Sequence, residues 1–139
     1  MKIYSLLLYF IFSASFLFAQ DCSKLRIGTF YYYPARSYIS PADYSIITMR
    51  DSFRVEVMPF NNDTLLWKVR IENDCIFKFK LIRRTGFVSE ATKRLLNDST
   101  YYRMEILQVT KDYYTFLGHW ETQEQRNTFI DTVWMKPKF

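Results

Sequence analysis

Between Leu65 and Leu81 the chain reads LLWKVRIENDCIFKFKL, and apolar and polar residues take turns along it. Trp67, Val69 and Ile71 alternate with Lys68, Arg70 and Glu72. Beyond Asp74, Cys75, Phe77, Phe79 and Leu81 alternate with Ile76, Lys78 and Lys80. A period of two belongs to a strand with one buried face, so the stretch predicts a hairpin. A two-residue turn at Asn73 and Asp74 would set Val69 opposite Lys78 and mix apolar with charged side chains on one face. A three-residue loop, Glu72 to Asp74, pairs Ile71 with Cys75, Val69 with Phe77, Trp67 with Phe79 and Leu65 with Leu81. Every apolar residue then faces inward, and Asp74 tolerates the left-handed conformation that such a loop wants at its end. Lys68 comes to face Lys78, a like-charge pair that leaves room for a bulge shifting one strand.

The same pattern predicts strands on either side. Residues 25–33 (LRIGTFYYY) are aromatic and β-branched and form the first, with Gly28 marking a bulge or a close approach of another backbone. Pro34 and Pro41 bracket a loop over residues 35–43. Two more strands follow at 44–48 and 52–58, hinged at Arg50 and Asp51. In the second of these Phe53, Val55 and Val57 share the inward face and Arg54 and Glu56 the other. Residues 59–63 make a turn by composition. Ser89 is placed to cap a short helix over about residues 89–96, which ends at Asn97. Strands at 101–110, 113–120 and 127–135 complete the chain, with turns at Lys111 and Asp112 and at residues 121–126. Eight consecutive strands predict an all-β fold, an eight-stranded up-and-down antiparallel barrel, because closure removes exposed sheet edges. A two-layer sandwich is the alternative. A barrel of this size is either filled by side chains or holds one small ligand. The inward set of Trp67, Phe77, Phe79, Phe53 and Phe30 is bulky, which argues for filling.

The first residues change where the protein is expected to work. Met1 and Lys2 lead into the apolar run Ile3 to Phe18, and Ala19 precedes the polar Gln20 and Asp21. This is the pattern of a secretory signal peptide cleaved near Ala19, and it predicts a secreted or periplasmic protein. An uncleaved anchor is the alternative, since the run is nearly long enough to span a bilayer. With cleavage no integral membrane span remains, and residues 20–139 form a single domain. Two cysteines in an oxidising compartment, Cys22 and Cys75, predict one disulfide tying the N-terminus to the central hairpin. Two thiols, with Cys75 acting as a small buried hydrophobe, are the alternative.

The spacing C-x-K-x-x-x-G-x-F-x-Y from Cys22 to Tyr32, the run IITMRDSFRVEV at 46–57, and W-x-V with N-D-C-x-F-x-F between Trp67 and Phe79 resemble small secreted proteins of Bacteroidetes. These are lipocalin-like in outline and without an assigned chemistry, and some carry a transferred topoisomerase label. The resemblance covers most of the chain after the signal segment. It implies a barrel and an envelope address, and no chemistry. Gly28, Thr29 and Phe30 are also similar to the G-x-W that opens lipocalins and fatty-acid-binding proteins, with Phe30 in the place of Trp. A topoisomerase activity does not suit 139 residues with a signal peptide and no nucleotide-binding loop.

Candidate chemistry is sparse. His119, the single histidine, lies two residues before Glu121 and so on the same strand face, an arrangement able to move a proton. Without a nucleophile it reads as a structural histidine, and no enzyme is expected. One histidine and two pairable cysteines offer no metal site, and no cofactor is expected. Lys68, Arg70, Lys78 and Lys80 share the outward face of the hairpin, with Arg83 and Arg84 beyond. They form either a surface for an anionic partner or an ordinary solvated face. Nucleic acid is not expected outside the cytoplasm. Tyr31, Tyr33 and Tyr102 are candidates for an exposed aromatic contact surface, with cross-strand pairing as the plainer reading. Two functions remain in view. One is a monomeric binding protein holding an apolar or amphipathic small molecule in or at the mouth of the barrel. The other is a filled barrel that docks an envelope component through its basic hairpin.

Overall fold

The computed structural model of the chain describes residues 20–34, 44–97, 101–121 and 126–138. The predicted signal peptide and the loop over residues 35–43 lie outside them. Eight strands follow in order: β1 (Gly28–Tyr32), β2 (Ser45–Met49), β3 (Phe53–Met58), β4 (Asp63–Asn73), β5 (Ile76–Arg84), β6 (Tyr102–Val109), β7 (Tyr113–Glu121) and β8 (Arg126–Trp134). Each pairs antiparallel with the next. The sheet closes where Tyr31 and Tyr32 of β1 meet Trp134 and Val133 of β8. This is the up-and-down barrel that the alternating pattern predicts. One helix, α1 (Glu90–Asn97), lies between β5 and β6. It begins where expected, because the Ser89 hydroxyl accepts the Thr92 N–H at 3.2 Å. Leu95 and Leu96 turn its apolar side toward the barrel core.

The first strand is shorter than its composition predicts. Residues Ser23–Leu25 form a turn of 3-10 helix, and β1 starts only at Gly28. Cys22 and Leu25 are buried in the core, and Cys22 is joined to Cys75 in a disulfide. Arg26 pairs with Asp74 beside it. Together these contacts seat the N-terminal turn against the barrel end that carries the β4–β5 turn. A Cβ at Gly28 would lie 3.0 Å from the ring of Phe30, so the glycine lets that ring fold back along its own strand.

The central hairpin keeps its predicted faces and changes its register. Asn73 opposes Ile76 across a two-residue turn of Asp74 and Cys75, and Glu72 is left as a bulge. Ile71 then faces Phe77, Val69 faces Phe79 and Trp67 faces Leu81, each two residues along from the expected partner. Two local interactions favour this arrangement. The Asn73 side chain accepts the Cys75 N–H at 2.9 Å, which closes the turn. The bulged Glu72 reaches Lys78 at 3.6 Å and Arg103 at 3.5 Å, offsetting like charges on the ladder.

The largest departure is in β3. Phe53 is 47 % exposed, while Arg54 and Glu56 point into the barrel. The cause lies in β2, where Ser45, Ile47 and Met49 are buried. The tight connection at residues 50–52, closed by the Arg50 N–H on the Phe53 carbonyl at 2.8 Å, sets Met49 opposite Arg54 and Ile47 opposite Glu56. Opposite residues share a face, so the even-numbered residues of β3 go inside. Val55 and Val57 stay half-buried on the outer wall.

Disulfide closure of a loop with sequence separation 53 stabilises the fold by about 4 kcal/mol in the chain-entropy estimate. Urea titration of Cys22→Ser/Cys75→Ser should therefore show a loss of that order. A loss below about 1 kcal/mol would mean that the tether restrains little of the unfolded chain.

Candidate ligand site

The interior falls into two parts. Toward the N-terminal turn the inward side chains, among them Ile47, Met49, Phe77 and Ile106, are buried and close-packed. Toward the other end Tyr32, Glu56, Trp120, Phe129 and Asp131 face inward by register yet keep partial exposure. Among the described residues this is the less completely packed end of the barrel.

Arg54 and Glu56 sit at the junction. Two residues apart on one strand, they share a face, and Arg54 Nη2 donates to Glu56 Oε2 at 3.1 Å. Their side chains are only 13 % and 12 % exposed. The guanidinium lies 5.1 Å from the ring centre of Phe79 and 6.0 Å from that of Trp67. Cation–π attraction of about 0.5–2 kcal/mol per contact helps to hold it there. Among the described residues nothing accepts a hydrogen bond from Arg54 Nε or Trp67 Nε1. A buried donor left in that condition costs about 1–3 kcal/mol.

Aromatic rings line the space around the pair. Trp67 and Trp120 are 6.3 Å apart between ring centres, Tyr102 and Trp120 4.7 Å, and Tyr102 and Phe129 6.1 Å. Gly118 makes the last two approaches possible, since a Cβ there would come within 2.4 Å of the Tyr102 hydroxyl and 2.7 Å of Phe129. On the facing wall the Tyr32 hydroxyl donates to Asp131 Oδ2 at 2.6 Å. Burial, reinforced by that carboxylate, raises the Tyr32 phenol far above its ordinary range. Burial does the same to Tyr102 against the opposing charge of Arg54, and pushes Tyr114 up to about 12. All three hydroxyls therefore stay protonated at neutral pH.

A second ion pair fixes the rim. Arg84 Nη2 lies 3.3 Å from Asp63 Oδ2 and its Nη1 donates to Thr92 of α1 at 3.1 Å. Asn61 donates to the same Asp63 carboxylate at 3.1 Å. Gly86, with φ of 90°, leaves room for that carboxylate, which a Cβ would meet at 1.6 Å. The β3–β4 turn, the end of β5 and the start of α1 are thus joined through Asp63 and Arg84. The connections on either side of it carry Phe60 and Phe87, both strongly exposed.

The residues singled out in the sequence are placed as follows. Lys68, Arg70, Lys78 and Lys80 do share the outer wall, with Lys68 opposite Lys80 and Arg70 opposite Lys78. The aromatic surface is not assembled. Tyr102 is 8 % exposed and belongs to the interior, because its pairing with Phe79 turns it inward. Tyr31 lies outside, opposite Ile46 and Trp134, and Tyr33 stacks on Tyr44 at 5.5 Å. His119 is on the outer face between Arg103 and Thr128; the side chain of Glu121 lies outside what the structure describes. Arg54 and Glu56 were expected on the outer face, and Asp131 and Tyr32 were not singled out for a site. The signal for Asp131 was available, since it alternates in step with Phe129 and Val133.

Among the described residues no group of three His, Cys, Asp or Glu side chains is arranged to hold a metal ion, and no helix is long and apolar enough to cross a membrane. Comparison with family models, with curated proteins and with solved structures gave no match to the chain.

Two outcomes follow for stability. Glu56→Leu leaves the Arg54 charge without its partner and should cost about 3 kcal/mol, whereas Arg54→Met/Glu56→Leu should return to within about 1 kcal/mol of the parent in the same urea titration. A loss in the double variant equal to the sum of the losses in Arg54→Met and Glu56→Leu taken singly would show that the pair is not coupled. The raised tyrosines give a pH dependence of definite sign. Their contribution is intact well below 10.0, the value at which unfolded tyrosines are half ionised, and is lost as pH rises through it toward about 12, where Tyr114 ionises in the fold. Urea midpoints should be level up to about pH 9 and fall as pH rises further.

Proposed function

We propose that the chain is a small secreted or periplasmic binding protein that holds an apolar or amphipathic molecule within the less packed half of its barrel. The observation that carries this reading is the Arg54–Glu56 pair, set among Trp67, Phe79, Tyr102 and Trp120. A filled core gains little from such a pair, because well-packed hydrophobic residues in its place are commonly as stable or more so. Ligand sites, by contrast, are mostly apolar walls with a few placed polar groups. The signal-like N-terminal segment and the Cys22–Cys75 disulfide support an oxidising compartment. The resemblance to secreted lipocalin-like proteins of Bacteroidetes supports the same address. A closed sheet offers no edge for pairing with another copy, which supports a monomer.

A second reading has an observation of its own. Lys68 with Lys80 and Arg70 with Lys78 are two adjacent like-charge rungs on the outer wall. An anionic envelope component laid across them would relieve the repulsion.

Native mass spectrometry of the protein purified from a bacterial envelope without reduction separates the two. We expect a mass above the bare polypeptide that is lost on extraction with organic solvent. A bare polypeptide that retains affinity for anionic envelope components would displace the carrier reading in favour of the basic wall.

A further inference from the structure

We infer that the molecule carried presents an uncharged oxygen acceptor, the carbonyl of an amide, ester or ketone, to the indole N–H of Trp67 and the guanidinium of Arg54. This rests on the carrier reading and specifies its ligand. Trp67 is 8 % exposed and turned inward, opposite Arg54 on β3 and Leu81 on β5. Among the described residues its Nε1 has no acceptor, and neither has Arg54 Nε. The guanidinium lies 6.0 Å from the Trp67 ring centre, so the two donors belong to the same small region of the interior. An acceptor on the indole N–H answers that donor with the guanidinium beside it, and a site with buried donors rejects analogues that lack the acceptor.

The charge of that oxygen follows from its surroundings. Arg54 is matched by Glu56 at 3.1 Å. The other inward cation, Arg84, is held by Asp63 and Thr92. Asp131 faces inward from β8 and bonds Tyr32. Glu56, opposite Ile47, and Asp131, opposite Phe116 and bonded to Tyr32, both turn their carboxylates to the interior. A ligand carboxylate would be the third anion there against a cation already neutralised. A carbonyl accepts the Trp67 N–H beside that cation without the repulsion. The rings of Tyr102, Trp120 and Phe129 then receive the apolar remainder.

The test is titration calorimetry of the oxidised chain after the signal segment with decanamide, decanoate and decylammonium, which share one tail. We expect decanamide to bind tightest. Trp67→Phe, which keeps a ring and removes the N–H, should weaken decanamide by roughly 2- to 10-fold more than it weakens decylammonium, as the loss of one hydrogen bond implies. If Trp67→Phe does not fold, Arg54→Lys serves in its place, since it keeps the charge beside Glu56 and drops Nε. Tighter binding of decanoate, or undiminished decanamide binding by the variant, overturns the inference and leaves the carrier reading standing. Binding of none of the three overturns the carrier reading and the inference with it.

Discussion

Residues that oppose each other on paired strands share a face, and in a closed barrel that condition runs round the whole sheet and returns to its start. Every inward choice on one strand therefore fixes the choice on its neighbour. Ile47 and Met49 of β2 go inside, so Glu56 and Arg54 of β3 must follow, and Leu65 and Trp67 of β4 after them. Bulges are the places where the count is reset. One between Leu66 and Trp67 leaves Ile82 and Arg83 outside together and turns Arg84 in toward Asp63. Another between Ile106 and Gln108 does the same for Leu107 and Gln108 and returns Val109 to the interior side of the ladder.

This condition explains why the interior carries charge at all. β3 is placed by its pairing with β2 and β4 rather than by its own side chains. The resulting ion pair is accommodated by rings that offer their faces to the guanidinium, and by a hydroxyl-rich far wall where Tyr32 meets Asp131. The packed half, sealed by the N-terminal turn and its disulfide, supplies rigidity. The other half holds the inward polar groups Arg54, Glu56 and Asp131 through the bonds they make.

Where a strand's own alternation agreed with its neighbours, it could be read directly. β4 and β5 are of this kind, and so is the helix start at Ser89, whose signal is local. β3 could not be read alone. Phe53, Val55 and Val57 alternate as cleanly as any core strand, and only the pairing with β2 shows that they lie outside. β2 itself, SIITM, is apolar on both faces and gave no hint of which way it pointed. Tyr102 was ambiguous for a related reason: in a doublet of tyrosines one ring must go each way, and the partner strand decides which. The turn at Asp74 and Cys75 depends on a side-chain bond from Asn73 and on Glu72 finding two cations, one of them on β6, a strand distant in sequence.

The seam that closes the barrel is its shortest, with β1 meeting β8 at Tyr31 and Tyr32 alone. A pull on the segment before Gln20 would, in a chain held by hydrogen bonds only, peel β1 away and open the sheet along that line. The Cys22–Cys75 bond intercepts the load before it reaches Gly28. It passes the force instead to the turn of the β4–β5 hairpin, whose strands are joined by eight rungs. The covalent link therefore shields a joint on the opposite side of the molecule from the residues it connects.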